Sequence, residues 1–414
     1  MKVCVYNLGC KVNQYECDSI VKQLREKSLD VTEKLESADI YILNTCAVTN
    51  EAERKSRQCV ARCKSLNANA KVFVCGCASQ NNAEQFVEKD GVTFVSGVAK
   101  KSDIVDKLAC EGVFVSELPT VYEDNFQSVI ERTRAYVKIQ DGCDNFCSYC
   151  IIPYLRGRSR SRQAASVVKE TQELAQNCKE IVLTGIDISS FGKDINSSLA
   201  DLLTNLGEID CRLRLGSLEV NVIDDKLLSA CKGLAKFCPQ FHLSLQSGEN
   251  SVLKKMNRHY TTQQYAEKVQ LIREYFPNAG ITTDLICGFP LEDEESFAKT
   301  LDFLKEIKFS HMHIFGYSPR KGTVAARYKL LDGEQVKSRC ARASEVASEC
   351  KKAYLASFVG KKLEVLTEDK EGEYTAGYSR EYIRILLQGG DDNTVYNVVG
   401  KELLGENLVC EIIK

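Results

Sequence analysis

Two successive alternations of strand and helix, followed by a run of short strands, predict a mixed α/β chain of three parts. These are an N-terminal open parallel α/β domain, a central partial (β/α)6 barrel and a small C-terminal β-barrel. Three observations carry this prediction. Apolar, β-branched runs each followed by a helical pattern recur from residue 2 to 97 and again from 134 to 318. From residue 361 onward short strands are divided by turn signals such as QGGDDN. The 414 residues exceed one ordinary domain, so two or three cores are expected.

In the first part, residues 1–112, the strand candidates are KVCVYNLGC (2–10), DIYILNTC (39–46), KVFVCGC (71–77) and VTFVSG (92–97). The first three end at Cys10, Cys46 and Cys77. Ligands bind outside the carboxyl ends of the strands in an open parallel sheet, so three cysteines from distant segments are expected to converge there as a three-thiolate site. Asn50 and Glu53 are spaced for a capping box that would start the next helix near the same rim. Cysteine at a strand end is more often a small core residue, and Cys4, Cys17, Cys59, Cys63 and Cys110 are read that way. Cys59 and Cys63, one helical turn apart, could bind a metal, but packing is the preferred reading. Between Cys75 and Cys77 the pattern is nearly indifferent; Cys77 is preferred because it lies past the strand, beside Gly76.

Residues 113–132 show no clear period and are read as a linker before a central domain over 133–352. Six strand candidates follow: 134–140, 180–186, 212–219, 240–248, 281–289 and 310–318. Six βα units in the 185 residues from 134 to 318 are too few for an eight-stranded barrel of roughly 250 residues. Immediately after the first strand comes QDGCDNFCSYCIIPYLRGRSRSR (140–162), on the face where βα loops build active sites. Cys143, Cys147 and Cys150 have C-x3-C-x2-C spacing, enough to ligate three irons of a cubane cluster and leave the fourth open. Zinc is the weaker alternative: a structural site needs four ligands, and the four histidines all lie far away in sequence. Beyond the cysteines stand Arg156, Arg158, Arg160 and Arg162, a set suited to phosphate contacts in RNA or cofactor, or else a solvated face.

With Tyr149 before the last cysteine, this loop in a six-unit barrel resembles the radical S-adenosylmethionine (SAM) enzymes. GCKVNQYE (9–16), NTCAVTNEAERKSR (44–57), LRGRSRSR (155–162), SLQSG (244–248) and GFPLEDEESF (288–297) extend the resemblance over nearly the whole chain, to the methylthiotransferases. GCKVN and NTCAVTNEAERKS look most like those acting on tRNA N6-threonylcarbamoyladenosine, rather than on isopentenyladenosine or on a ribosomal protein aspartate. The resemblance implies two [4Fe–4S] clusters, one on Cys143, Cys147 and Cys150 and an auxiliary one on Cys10, Cys46 and Cys77. It also implies that SAM is used twice: once to methylate sulfur at the auxiliary cluster, and once as the source of a 5′-deoxyadenosyl radical that takes hydrogen from C2 of the adenine. Hydrogen removal of that kind is beyond any protein acid or base, so no catalytic acid or base is expected. For SAM, Tyr149, Thr184, Gly185, Glu219, Ser244, Gln246 and Gly288 are candidates, although the glycines could serve only turns and Ser244 or Gln246 could bond within the barrel. The implied partners are the anticodon loop of tRNA, modified at position 37, and an external electron donor such as flavodoxin or ferredoxin.

The last part, 353–414, resembles a TRAM domain, a module of oligonucleotide-binding (OB) character. Residues 358–414 hold seven Lys and Arg against eleven Asp and Glu, a balance of −4, which argues against strong phosphate binding by the whole module. Tyr378, Arg380, Tyr382 and Arg384 remain candidates for one stacking, basic face, with docking on the barrel as the alternative. Overall net charge is −2, so any RNA contact must rest on local patches. Twenty cysteines do not form the dense pattern of a secreted disulfide scaffold, and no apolar run reaches membrane length. A soluble cytoplasmic enzyme is expected; the alternative of another class is an iron–sulfur RNA-binding protein without catalysis.

Overall fold

The computed structural model describes residues 1–124 and 133–413. Residues 125–132, the end of the expected linker, lie outside them. The chain divides into two compact units: one of Met1–Leu174, Leu183–Ser198 and Ser318–Arg327, the other of Ala175–Val182, Leu199–Tyr317 and Tyr328–Lys414.

In the first unit six strands form one parallel sheet: β1 (Lys2–Asn7), β2 (Asp30–Thr32), β3 (Ile40–Thr45), β4 (Lys71–Gly76), β5 (Val92–Ser96) and β6 (Gly112–Phe114). The order is β2-β1-β3-β4-β5-β6, so the chain reverses direction between β1 and β3. That reversal opens a crevice at the carboxyl ends of these two strands. Helix α1 (Lys11–Glu26) follows β1, and α2 (Asn50–Leu66) follows β3. In α2 the buried residues Ser56, Cys59, Val60 and Cys63 form one stripe at helical spacing, which accounts for both cysteines as core. Cys4 and Cys17 are buried as well, whereas Cys110 is exposed in a turn before β6, a correction to its reading as core. β6 also takes Val113 and Phe114 from the expected linker.

Thr49, not Asn50, caps α2: its hydroxyl accepts from the Ala52 amide at 3.1 Å. The capping box expected of Asn50 and Glu53 is therefore not formed. Both side chains are bonded to the buried guanidinium of Arg320, and the Asn50 amide donates to Ser318 Oγ at 3.1 Å. A charged donor in a buried place draws the acceptors that a solvated helix end would have kept.

All six strands expected after residue 133 form. β7 (Arg134–Asp141) pairs antiparallel with the two-residue β8 (Arg160–Ser161) in the first unit. β9 (Glu180–Gly185) is divided between the units at Val182. The run 212–219 is broken at Gly216 into β10 (Arg212–Leu215) and β11 (Ser217–Leu218). β11, β12 (Gln240–Leu243), β13 (Gly280–Cys287) and β14 (His311–Gly316) then form a parallel sheet in the second unit. A 24-residue helix, Gly333–Ala356, leads to a closed barrel of β15 (Lys362–Glu371), β16 (Tyr374–Ser379), β17 (Arg384–Gln388), β18 (Val395–Leu404) and β19 (Asn407–Ile412). Val365, Ile385, Leu387, Val398, Leu408 and Cys410 fill it. Among the described residues no helix is long and apolar enough to cross a membrane.

Candidate iron–sulfur and tRNA-modifying site

The N-terminal cysteines come together at the carboxyl rim of the sheet. Cys10 is the residue before α1, Cys46 follows β3 directly, and Cys77 follows β4 as the first residue of a short helix, Cys77–Asn81. Cys46 is close enough to Cys77 and Cys10 to feel both charges. Burial pushes its thiol up to about 11, against the pull of the Val48 amide. Cys75, two residues earlier on β4, packs with Val5, Ile42 and Phe94 in the core, apart from Cys77 because the chain leaves the strand at Gly76.

Two glycines make the rim possible. At Gly76, φ is +105°, and a Cβ would sit 2.5 Å from the Thr45 carbonyl oxygen. A Cβ at Gly9 would lie 2.5 Å from Asn13 Cγ. Asn13, freed to fold over the rim, donates to Asn44 Oδ1 (2.9 Å) and to the Thr45 carbonyl (3.1 Å). Its side-chain Oδ1 accepts from Cys10 Sγ (3.4 Å) and from Arg156 (3.2 Å).

The second triad lies in the loop after β7. Gln140 organises it: the side chain donates to the carbonyls of Asp141 and Gly142 and accepts from the Asp187 amide at 2.8 Å. Gly142, with φ of +72°, lets the loop pass over Arg158, whose carbonyl would be 1.9 Å from a Cβ. Cys143, Cys147 and Cys150 are all half-buried, and Cys143 feels the charges of the other two. Burial and then the Asp187 carboxylate push the Cys143 thiol up. Tyr149 is half-buried in the same loop. Thr184 is buried, and a Cβ on Gly185 would meet Gln140 O at 2.9 Å, so this glycine permits strand-to-loop packing.

Two all-sulfur donor sets fit iron–sulfur clusters: both are thiol groups gathered by the fold, and thiolate is the ligand these clusters take. Each would leave one iron of a bound cubane without a cysteine ligand. When bound, such clusters supply one-electron chemistry at an open coordination position.

The arginine run is not where a phosphate-binding face would have it. Arg156, Arg160 and Arg162 are buried. Arg156 lies among Glu16, Asp141, Asn13 and Cys77; Arg160 donates to the carbonyls of Arg156 and Arg158; Arg162 is bonded to Glu170, Asp124 and Tyr15. β8 returns against β7 and carries the run inward, where each charge needs a partner. Arg158 alone of the four points outward, its side chain 74 % exposed, stacked on Phe146 at 4.6 Å and paired with Asp144.

In the second unit the remaining SAM candidates are held by neighbours. Glu219 pairs with Arg258, which also donates to the Ser244 carbonyl at 2.8 Å. Gln246 has φ of +68° and exchanges two backbone hydrogen bonds with β13. Gly288, at φ +76°, donates its amide to buried Glu292 at 3.0 Å and passes Val336 closely. Burial pushes the Glu292 carboxyl up to about 7 against the Gly288 amide and Arg339. His242, Asp284 and His313 offer donor atoms within 4.8 Å of one another. His242 and Asp284 belong to a hydrogen-bonded relay, however: Gln240 donates to Thr282, which bonds His242 Nδ1, while His242 Nε2 meets Asp284.

Of the basic face expected on the C-terminal barrel, Arg380 and Tyr382 meet the rest of the unit, while Arg384 stays on the barrel. Arg380 donates to the carbonyls of Phe237 and Ala235, and Tyr382 stacks on Tyr378 and lies 4.7 Å from the Arg214 guanidinium. Arg384 pairs with Glu371. The main-chain carbonyls of Phe237 and Ala235 give the arginine fork fixed acceptors. Asn13, Glu16 and Asp187 were not singled out by sequence; GCKVNQYE (9–16) and the stretch 183–187 contain them, but only the fold brings them to the cysteines.

Residues 2–97 match the model of Uncharacterized protein family UPF0004, and residues 137–304 that of the Radical SAM superfamily. The chain is 35% identical over 410 residues to threonylcarbamoyladenosine tRNA methylthiotransferase MtaB of Bacillus subtilis, covering 94% of this chain and 91% of that one. It is 36% identical to the MtaB of Thermotoga maritima, over 98% and 95% of the two chains. At 34% identity it also matches a tRNA-2-methylthio-N(6)-dimethylallyladenosine synthase of Oceanobacillus iheyensis, over 94% and 79%. Among solved structures, the radical SAM methyltransferase TsrM from Kitasatospora setae shares the fold, with a TM-score of 0.54 at 16% identity over 77% and 73% of the chains. With a gathered thiol triad in each of the two matched regions and full-length relatives at this identity, the chain belongs to the radical SAM methylthiotransferase family.

Proposed function

We propose that this protein adds a methylthio group to C2 of N6-threonylcarbamoyladenosine at position 37 of tRNA, using SAM and two [4Fe–4S] clusters. The observation that carries the reading is the gathering of Cys10, Cys46 and Cys77 at one sheet rim, separate in sequence from Cys143, Cys147 and Cys150. One triad suffices for SAM cleavage; a second is what sulfur insertion adds. In this reading the N-terminal domain and the radical SAM domain, joined by the linker, and the TRAM-like barrel are three functional parts. Asp187 and Asn145 orient the Cys143 end of the loop, and Gln140 fixes its base. Glu219, Ser244, Gln246 and Gly288 offer polar groups and close backbone for SAM, and Arg158 offers an exposed cation for tRNA. The reductant is a small external electron carrier.

The test is anaerobic reconstitution with iron and sulfide, then incubation with reductant, SAM and tRNA, with nucleosides read by mass spectrometry. A methylthio increment on threonylcarbamoyladenosine, lost in Cys10→Ala and in Cys147→Ala, is the expected result. Modification of dimethylallyladenosine instead would move the protein to the other group of its relatives. SAM left intact by a protein loaded with both clusters would overturn the enzyme reading.

A further inference from the structure

Arg156 is 0 % exposed, and its partners span both cysteine triads. Nε donates to Cys77 Sγ at 3.3 Å. Nη1 donates to Glu16 at 3.0 Å and to the Asp141 carboxylate at 3.2 Å, and Nη2 donates to Asn13 Oδ1 at 3.2 Å. Asn13 in turn accepts from Cys10 and donates to the carbonyl just before Cys46. On the other side, Asp141 accepts the Gly142 amide at 2.7 Å, immediately before Cys143. Arg156 itself closes the short helix that begins two residues after Cys150, and Ile151 and Leu155 of that segment pack into the apolar cluster of the N-terminal sheet with Val74 and Cys77. One buried guanidinium therefore touches a sulfur of the first triad and brackets the loop of the second.

Its charge surroundings are unbalanced toward positive. Glu16 faces Lys101, Lys138 and Arg156, and Asp141 faces Lys138, Arg156 and Arg160. Among the described residues, two carboxylates of this network stand against four cations. Arg156 shares both of its carboxylates with other cations, and a cluster held by three thiolates supplies negative charge at the sulfur that Arg156 already meets.

We propose that Arg156 is a positioning residue shared by the two triads, which orients the Cys77 sulfur and raises the reduction potential of the cluster on Cys10, Cys46 and Cys77. The proposal rests on the reading that these three cysteines hold a [4Fe–4S] cluster. A hydrogen bond and a positive charge at a ligand sulfur stabilise the reduced cluster, which carries one more negative charge, and the dry surroundings keep that effect from being screened. Glu16 acts in the opposite sense: by pairing with Arg156 it tempers the charge without touching the sulfur.

The experiment is a redox titration followed by electron paramagnetic resonance on full-length protein reconstituted with iron and sulfide, reading the cluster signal that does not respond to SAM. Arg156→Gln should move the midpoint to more negative potential, and Glu16→Gln should move it to more positive potential. Arg156→Lys, which keeps the charge but not the fork, should fall between wild type and Arg156→Gln. With about eight irons per chain, as two cubane clusters require, an unchanged midpoint in Arg156→Gln, or a shift of the same sign in Glu16→Gln, overturns the proposal. Should Arg156→Gln not fold, Glu16→Gln and Arg156→Lys carry the test, and no shift in either overturns it. Only about four irons in the wild type overturns the two-cluster reading itself.

Discussion

Gly76→Ala is the perturbation that most directly probes the rim holding Cys10, Cys46 and Cys77. Gly76 has φ of +105° and ψ of −161°, a region left almost wholly to glycine, where a side chain costs about 1–3 kcal/mol. The added methyl would also lie 2.5 Å from the Thr45 carbonyl oxygen, 2.6 Å from Asn44 Oδ1 and 2.7 Å from the Thr45 amide. Relief by backbone movement costs about 1–3 kcal/mol more, for roughly 2–6 kcal/mol together. In a unit of this size that is a fall in Tm of roughly 5–20 °C. The displaced atoms matter more than the sum. Thr45 O and Asn44 Oδ1 are the acceptors that hold Asn13, and Asn13 accepts from Cys10 and Arg156. The expected outcome is loss of one cluster: iron content falling from about eight toward about four per chain, with SAM cleavage retained and methylthiolation lost. Iron and sulfide analysis, calorimetry and nucleoside mass spectrometry read the three effects. Gly233→Ala is the control, since that glycine closes a helix with nothing within 4 Å of its would-be Cβ and should leave stability and iron unchanged or slightly improved. A Gly76→Ala protein with full iron and a Tm within about a degree of wild type would refute the reasoning.

Arg158→Ala removes the one exposed arginine of the run and should weaken tRNA binding, reducing the slope of log affinity against log salt by about one while leaving Tm in place; an unchanged slope in binding titrations speaks against an RNA contact there. Arg320→Ala leaves the Glu53 carboxylate without its buried partner and should destabilise the first unit by about 3–5 kcal/mol, seen by denaturant unfolding. Glu292 keeps its proton in the folded protein up to about 7, while the unfolded chain loses it near 4.5. Its contribution to stability is thus complete below the unfolded value and declines as pH rises through 7, by about 3 kcal/mol. Glu292→Gln should flatten that part of the stability profile, and an equally steep profile in the variant would assign the slope to other groups.

Local pattern made much of the site legible. C-x3-C-x2-C is a spacing within one loop, and the alternation of β-branched runs with amphipathic stretches predicts parallel strands whose carboxyl ends must share an edge. Three cysteines at three strand ends could therefore be read as one site from the sequence, and the preference for Cys77 over Cys75 followed from its place past the strand end, beside Gly76. The six barrel strands and the closed C-terminal barrel were legible for the same reason, apart from the break at Gly216. Arg156 was legible as a residue but not in its setting. Its partner Glu16 lies 140 residues earlier, as Arg320 lies 267 residues from Glu53.

By itself, then, the sequence determined which segments become strands, which thiols end them and which loop carries the second triad, because these depend on side-chain period and on spacing along the chain. Only the tertiary structure decided that the strand order reverses between β1 and β3, so that Cys10 and Cys46 flank a crevice. It alone turned the arginines at 156, 160 and 162 inward and Arg158 outward, and docked Arg380 on main-chain carbonyls. A buried charge is stable only where the fold supplies partners from distant segments, and a single chain read in order does not say which segments those are.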